Sequence, residues 1–148
     1  PSRLSMQQAD ATPLWYRPGR RETEGEMNAR NIDGVLISGG TGFTGRDSTP
    51  EAIRPLLDKE MPGFGEMFRA VSIAEIGTAS LQSRAFAGLA NATFVFALPG
   101  STSACKTAWN SILKAQLDAR TKPCNLAGLK PRLKEHEDTM AELKKKKY

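Results

Sequence analysis

The sequence predicts an α/β domain built on a parallel sheet. Two short apolar runs, Gly34-Val35-Leu36-Ile37-Ser38 and Thr93-Phe94-Val95-Phe96-Ala97-Leu98, each end in a glycine turn. Each turn leads toward a stretch with helix-start chemistry, and helical spacings fill the interval between the two runs. Strand, loop, helix, helix, strand, loop, helix is the order that lays helices on the faces of a parallel sheet.

Each element has its own warrant. Residues 34–38 form an apolar run too short for a helix, which suits a buried strand. Gly39-Gly40-Thr41-Gly42-Phe43-Thr44-Gly45-Arg46-Asp47 is too rich in glycine for either regular structure. Ser48-Thr49-Pro50-Glu51 then opens a helix, with Ser48 or Thr49 as N-cap, proline in the first turn and Glu51 as capping-box partner. Ile53, Leu56 and Leu57 give that helix an apolar face, and Met61-Pro62-Gly63 is expected to end it. Leu81, Ala85, Phe86 and Leu89 recur at three- and four-residue spacings, so a second helix is expected over 75–91. The strand at 93–98 meets Pro99-Gly100-Ser101, beyond which Cys105, Trp109, Ile112, Leu113 and Leu117 share a helix face. Trp109 is expected in the core.

Outside this region the order weakens. Residues 1–30 hold three prolines, two glycines and nine charges without a sustained period, and form an irregular N-terminal segment. Residues 31–133 form the domain, and 134–148 a charged tail ending in a KKKK run. Apolar residues make up 39% and charged residues 25%, as in a globular protein. No apolar run approaches the ~20 residues that span a bilayer, and no signal peptide is evident, so a cytoplasmic protein without membrane contact is expected.

Charge and residue usage narrow the chemistry. The net charge of +5 divides as +1 over 1–30, +3 over 31–133 and +1 over 134–148, with no basic stripe interleaved with aromatics. Nucleic acid is therefore not expected as a partner. Cys105 and Cys124 lack further ligands at zinc spacing and should be free thiols. The single histidine, His136, lies in the tail, so the domain has no Ser-His-Asp triad. Carboxylates, hydroxyls, backbone amides and a bound metal remain to carry any reaction.

The two glycine turns are the candidate site. Ligands of open parallel α/β sheets bind at the carboxyl ends of the strands, where both turns lie. Backbone N–H groups there suit phosphate, and a Cβ would hold phosphate away from them. Ser38, Thr41, Thr44, Ser48, Ser101 and Ser103 add hydroxyls around the same rim. Asp47 is out of place in a loop that attracts anions. It is either an additional cap or partner of Arg46, or a ligand for Mg²⁺, which needs only one or two protein carboxylates when it bridges phosphates.

These residues carry a family resemblance. GGTGFTGRDSTPEA at 39–52 resembles the signature of the molybdopterin-binding family, which includes molybdopterin adenylyltransferases and gephyrin-type domains. EIGTASLQSRAFAGLAN at 75–91, FALPGSTSACKTAW at 96–109 and QLDARTKPCNL at 116–126 extend the likeness, most closely to the bacterial molybdenum cofactor biosynthesis protein B branch. The resemblance implies a three-layer α/β/α fold with a mostly parallel sheet, assembled as a homotrimer or a hexamer of trimers. It implies binding of molybdopterin and adenylylation of its terminal phosphate with Mg²⁺ and ATP. Other proteins of the molybdenum cofactor pathway become possible partners. By position, Gly39, Gly40, Thr41 and Gly42 would cradle phosphate, and Asp47 would match the family's essential acid, acting through Mg²⁺. Ser72 and Ser83 would lie near the pterin, and Pro99, Gly100 and Ser101 would form the second binding turn.

The family's first half, a strand with a Ser-Asp turn followed by a helix, a strand and a helix, has no counterpart in residues 1–30. The resemblance therefore supplies no second catalytic carboxylate. Two functions follow as expectations: a molybdopterin adenylyltransferase, or a non-catalytic molybdopterin-binding or assembly protein of the same pathway. An unrelated nucleotide-binding module is a third reading.

Overall fold

The structure, a computed structural model, describes residues 32–135; the N-terminal segment, His136 and the rest of the tail lie outside them. The chain order is β1 (Gly34–Ser38), α1 (Thr49–Ile53), β2 (Lys59–Glu60), α2 (Pro62–Ile76), β3 (Phe86–Ala90), β4 (Thr93–Leu98), α3 (Thr102–Ala108), α4 (Lys114–Gln116) and α5 (Leu126–Leu129). A turn of π-helix, Trp109–Leu113, joins α3 to α4. Among the described residues no helix is long and apolar enough to cross a membrane.

The four strands form one sheet in the order β1-β4-β3-β2. β1 and β4 pair in parallel, from Gly34 opposite Phe94 to Ser38 opposite Leu98. β3 pairs antiparallel with both β4 and β2, so the sheet is mixed and its expected parallel character is confined to β1 and β4. The reversal is made by Asn91 and Ala92, which form a two-residue turn with φ of 49° and 59°. Two consecutive positive φ values are what a type I′ hairpin turn requires. Asp58 supports the turn by accepting the Asn91 N–H at 2.6 Å.

All six residues of β4 are buried, because both faces of this strand are covered. Phe94, Phe96 and Leu98 point to one face, where Phe64 and Phe68 of α2, Ala108 at the end of α3, and Ile112 and Leu113 just beyond it cover them. Phe64 meets Phe96 edge-on at 5.3 Å between ring centroids, a favourable arrangement of two ring quadrupoles. Val95, Ala97 and Phe86 point to the other face and pack against Ile53 of α1. Helices on both faces of the sheet give the α/β/α layers.

The helix expected over 75–91 does not form. α2 occupies Pro62–Ile76, a 3₁₀ segment follows at Gly77–Gln82, and Phe86–Ala90 is a strand. Helical spacing is a weak guide in FAGLA, because pairing with β4 overrides propensity. Phe86 and Ala87 serve opposite faces of the sheet, as a strand demands and one helix face does not. Met61-Pro62-Gly63 begins α2 rather than ending the preceding helix. Pro62 sits in the first turn, where its missing N–H costs nothing.

α1 is correspondingly short. Pro55 cannot donate to a carbonyl one turn back, and the chain tightens into 3₁₀ helix over Arg54–Leu56. The capping box is also absent: Ser48 is the N-cap residue but makes no side-chain cap bond, and Glu51 pairs with Arg84. Trp109 lies outside the core at 45% exposure, and Leu81 is 82% exposed. Cys105 and Cys124 are free thiols.

Ala92 carries a left-handed backbone conformation that costs an L-residue on the order of 1–2 kcal/mol. Ala92→Gly removes that cost, partly offset by glycine's larger loss of entropy. The expected outcome is a gain of about 0.5–1 kcal/mol in urea unfolding, with the Lys130 bond to the Ala92 carbonyl retained.

Candidate functional site

Parallel pairing brings the two glycine turns together. Ser38 and Leu98 end their strands side by side, and the Gly39 N–H donates to the Leu98 carbonyl at 2.9 Å. The Ser38 hydroxyl donates to the Pro99 carbonyl at 3.3 Å. A Cβ on Gly100 would stand 3.3 Å from Gly39 Cα, so the two turns touch backbone to backbone.

The first loop is held by its carbonyls. Gly39 O accepts from the Thr49 hydroxyl at 2.8 Å and Gly40 O from the Thr49 N–H at 3.0 Å. Thr41 O accepts from the Arg84 N–H at 2.8 Å, and Gly42 O from Arg84 Nε at 2.7 Å. Arg84 Nη2 continues to the Asp47 carbonyl at 2.6 Å. The same guanidinium pairs with Glu51, which holds the Glu51 carboxyl below its ordinary value, and lies 5.3 Å from the Phe43 ring centroid. Gly40 has φ of +66°, and a Cβ there would collide with the Thr49 hydroxyl, so both conformation and space require glycine. Among the described residues, the Gly40 and Thr41 N–H groups have no acceptor. Its carbonyls are fixed to the protein and these two N–H donors are left unused, the kind of group that suits an anion.

Asp47 closes the loop from within. Its Oδ2 accepts from the Thr44 hydroxyl at 2.7 Å and the Thr44 N–H at 2.8 Å. These bonds, helped by the Gly42 amide and the Arg84 charge, hold its carboxyl below the usual aspartate range. The closure is therefore complete above that range and is lost as pH falls through the lowered value. An ionised, half-buried carboxylate fits a Mg²⁺ whose other ligands are phosphate oxygens and water. Among the described residues, no group of three or more His, Cys, Asp or Glu could hold a metal.

A cavity of about 210 Å³ opens beside the turns, between α2, the 3₁₀ segment and α3. It collects Thr41, Gly42, Ser72, Ser83, Pro99 and Ser101 from the sequence-expected set. Gly39, Gly40, Gly100 and Asp47 do not line it and shape the turns behind it. Most of its hydroxyls are occupied. Ser72 donates to the Phe68 carbonyl at 2.7 Å, Ser83 accepts from the Ala85 N–H at 3.2 Å, and Ser101 caps α3 by accepting from the Ala104 N–H at 3.2 Å. Thr41 is different. Its side chain is 2% exposed, and its hydroxyl is buried without a hydrogen-bond partner.

Glu75, Gln82 and Thr107 also line the cavity and were not anticipated. Reading 75–91 as one helix hides them, because the bend at Gly77, with φ of +55°, sets Glu75 and Gln82 on opposite sides of a turn.

Residues 20–119 match the family described as a probable molybdopterin binding domain. The chain belongs to that family. It is 56% identical over 106 residues to the molybdenum cofactor biosynthesis protein B of Escherichia coli K12, covering 72% of this chain and 62% of that one. Its counterpart in Halalkalibacterium halodurans is 52% identical over 88 residues, or 59% of this chain and 52% of the relative. The chain thus spans less than two thirds of the length of these curated relatives. Among solved structures, a molybdenum cofactor biosynthesis protein B superposes with a TM-score of 0.58 at 42% identity, covering 64% of this chain and 62% of the other. The tungsten cofactor synthesizing protein MoaB of Pyrococcus furiosus gives 0.55 at 45% identity, covering 61% and 58%. The α/β fold of this chain is the fold of these family members.

An orphaned buried hydroxyl costs about 1–3 kcal/mol. Thr41→Val, nearly equal in volume, should therefore raise stability by about 1 kcal/mol in thermal or urea unfolding. If the loop receives an anion, the same change should weaken binding of inorganic phosphate in direct titration. A variant that is less stable, or that binds as well as the parent, contradicts a ligand-directed Thr41.

Proposed function

We propose that the chain acts in molybdenum cofactor biosynthesis, binding molybdopterin beside the paired glycine turns and adenylylating its terminal phosphate with Mg-ATP. The observation that carries the reading is the buried, unpartnered Thr41 hydroxyl on a loop whose Gly40 and Thr41 amides are also free. Such polar groups are retained against their cost where a ligand satisfies them. Family membership supplies the class of ligand, and the curated relatives' name supplies the pathway.

In this reading an oxygen of the pterin's phosphate attacks the α-phosphorus of ATP. The bond from that phosphorus to the bridging oxygen breaks, and pyrophosphate departs with the electron pair. Transfer of this kind asks for alignment and charge neutralisation rather than a covalent intermediate. The Gly40 and Thr41 N–H groups hold the attacking phosphate in a fixed loop. Arg84 holds the loop, through three of its carbonyls and Glu51. Asp47 is the residue that would hold Mg²⁺, which when bound supplies charge neutralisation at the phosphates.

A homotrimer or hexamer of this chain belongs to the same reading. Ile73, Ile76 and Leu81 are between 51% and 82% exposed at the end of α2 and on the following 3₁₀ segment, apolar side chains available to a second copy. A non-catalytic binding or assembly role is the second reading. It is favoured by the two bonds from Thr44 to Asp47 Oδ2, which give that carboxylate a loop-closing task of its own.

Asp47→Asn separates the two. If Asp47 serves Mg²⁺, pyrophosphate release from Mg-ATP and molybdopterin falls by about 10²–10³-fold while molybdopterin binding changes little. Turnover unchanged by the substitution would remove the metal role. Molybdopterin binding without pyrophosphate release from the unaltered chain would establish the binding role instead.

A further inference from the structure

We infer that Glu75 is a specificity-determining residue of the cavity, reading the hydrogen-bond-donor edge of the bound heterocycle. The inference rests on the proposed pterin binding and extends it to a residue that neither the glycine loop nor the adenylyl transfer uses.

Glu75 lies one residue before the end of α2 and lines the cavity. It is the one carboxylate among the lining residues. Thr107, itself buried, donates its hydroxyl to Glu75 Oε1. That bond fixes one carboxylate oxygen by a tie between α2 and α3, and leaves further acceptor capacity on the group. A carboxylate in the same cavity as a phosphate host is unfavourable unless the two ends are separated. The residue that anchors the carboxylate is set back from the second turn: Thr107 lies six residues along the helix from Ser101, about 9 Å along its axis.

The cavity is therefore polarised. The unused Thr41 N–H and the orphaned Thr41 hydroxyl stand at the glycine end, and an anchored acceptor stands at the far end. A ligand that matches has an anionic group at one end and adjacent N–H donors at the other. The 2-amino-4-oxo edge of a pterin presents such donors, an exocyclic NH₂ beside a ring N–H, and a carboxylate can accept from both at once. Its 2-oxo counterpart, a lumazine, replaces the NH₂ donor with an acceptor that the carboxylate repels. Glu75 is itself exposed, so the discrimination is the modest one of a single charge-assisted hydrogen bond lost and two acceptors set against each other.

The test titrates the full chain with 6-methylpterin, 6-methyllumazine and molybdopterin, following ligand fluorescence. The unaltered protein should bind the pterin about tenfold more tightly than the lumazine, one charge-assisted hydrogen bond being of that order. Glu75→Gln keeps an oxygen to accept from Thr107, so a merely structural tie survives it. It should nonetheless bring the two affinities to within about twofold and weaken molybdopterin binding about tenfold, at unchanged thermal stability. Thr107→Val frees the carboxylate and should lower the discrimination in part. A parent that does not distinguish the two heterocycles, or a Glu75→Gln variant that still does, overturns the assignment. If molybdopterin binds the parent in either of those cases, only the role of Glu75 falls. If molybdopterin itself does not bind, the underlying function falls with it.

Discussion

Parallel pairing of β1 with β4 is the constraint on which the site depends. Register from Gly34 opposite Phe94 to Ser38 opposite Leu98 ends both strands at one edge, and each then has to leave the sheet in the same small space. Only glycine allows that: the backbone of Gly100 passes Gly39 with no room for an easily placed Cβ, and Gly40 turns at positive φ against Thr49. The glycines are thus required first by the geometry of two adjacent strand ends. The unpaired N–H groups of the loop are a consequence, and the proposed anion site rests on them.

Arg84 converts this crowded turn into a rigid one. One residue, through its backbone N–H and two guanidinium nitrogens, occupies the carbonyls of Thr41, Gly42 and Asp47, and a third nitrogen holds Glu51. An isolated exposed ion pair is worth little. A planar guanidinium that satisfies several acceptors at once differs, since its fork is pre-organised for them. Asp47 works toward the same end from inside the loop, accepting twice from Thr44. The loop is fixed before any ligand arrives, and little ordering is left to oppose binding. Thr41 marks the opposite side of that balance. A buried hydroxyl without a partner weakens the free protein, and is intelligible as part of a site completed by its ligand.

The parts of this architecture legible in the sequence are those with a local cause. The apolar runs at 34–38 and 93–98, the glycine loop, and the turn at Pro99-Gly100-Ser101 all follow from residue types whose conformational demands are met nearby. The hairpin was not legible, because Asn91-Ala92 lacks the glycine that marks a type I′ turn and the small residues of Phe86–Ala90 also suit a helix. Taking that stretch as helix concealed both the antiparallel half of the sheet and the true extent of α2. The site divides in the same way. Thr41, Gly42, Pro99 and Ser101 are adjacent to glycine turns and could be found from them. Glu75, Gln82 and Thr107 come from three elements joined only by tertiary folding, and no spacing in the chain relates them. Arg84 is similar, because its importance lies in carbonyls some forty residues earlier.

The most direct test of the account is backbone amide exchange in the full chain, residue by residue, with and without molybdopterin. If the glycine loop is a prepared phosphate host, the ligand should slow exchange and shift the amide resonances at Gly40 and Thr41. The amides of β4, already bonded within the sheet, should change little. Binding that leaves Gly40 and Thr41 unprotected, or that places its protection on a different face of the sheet, would contradict the assignment of this loop as the site.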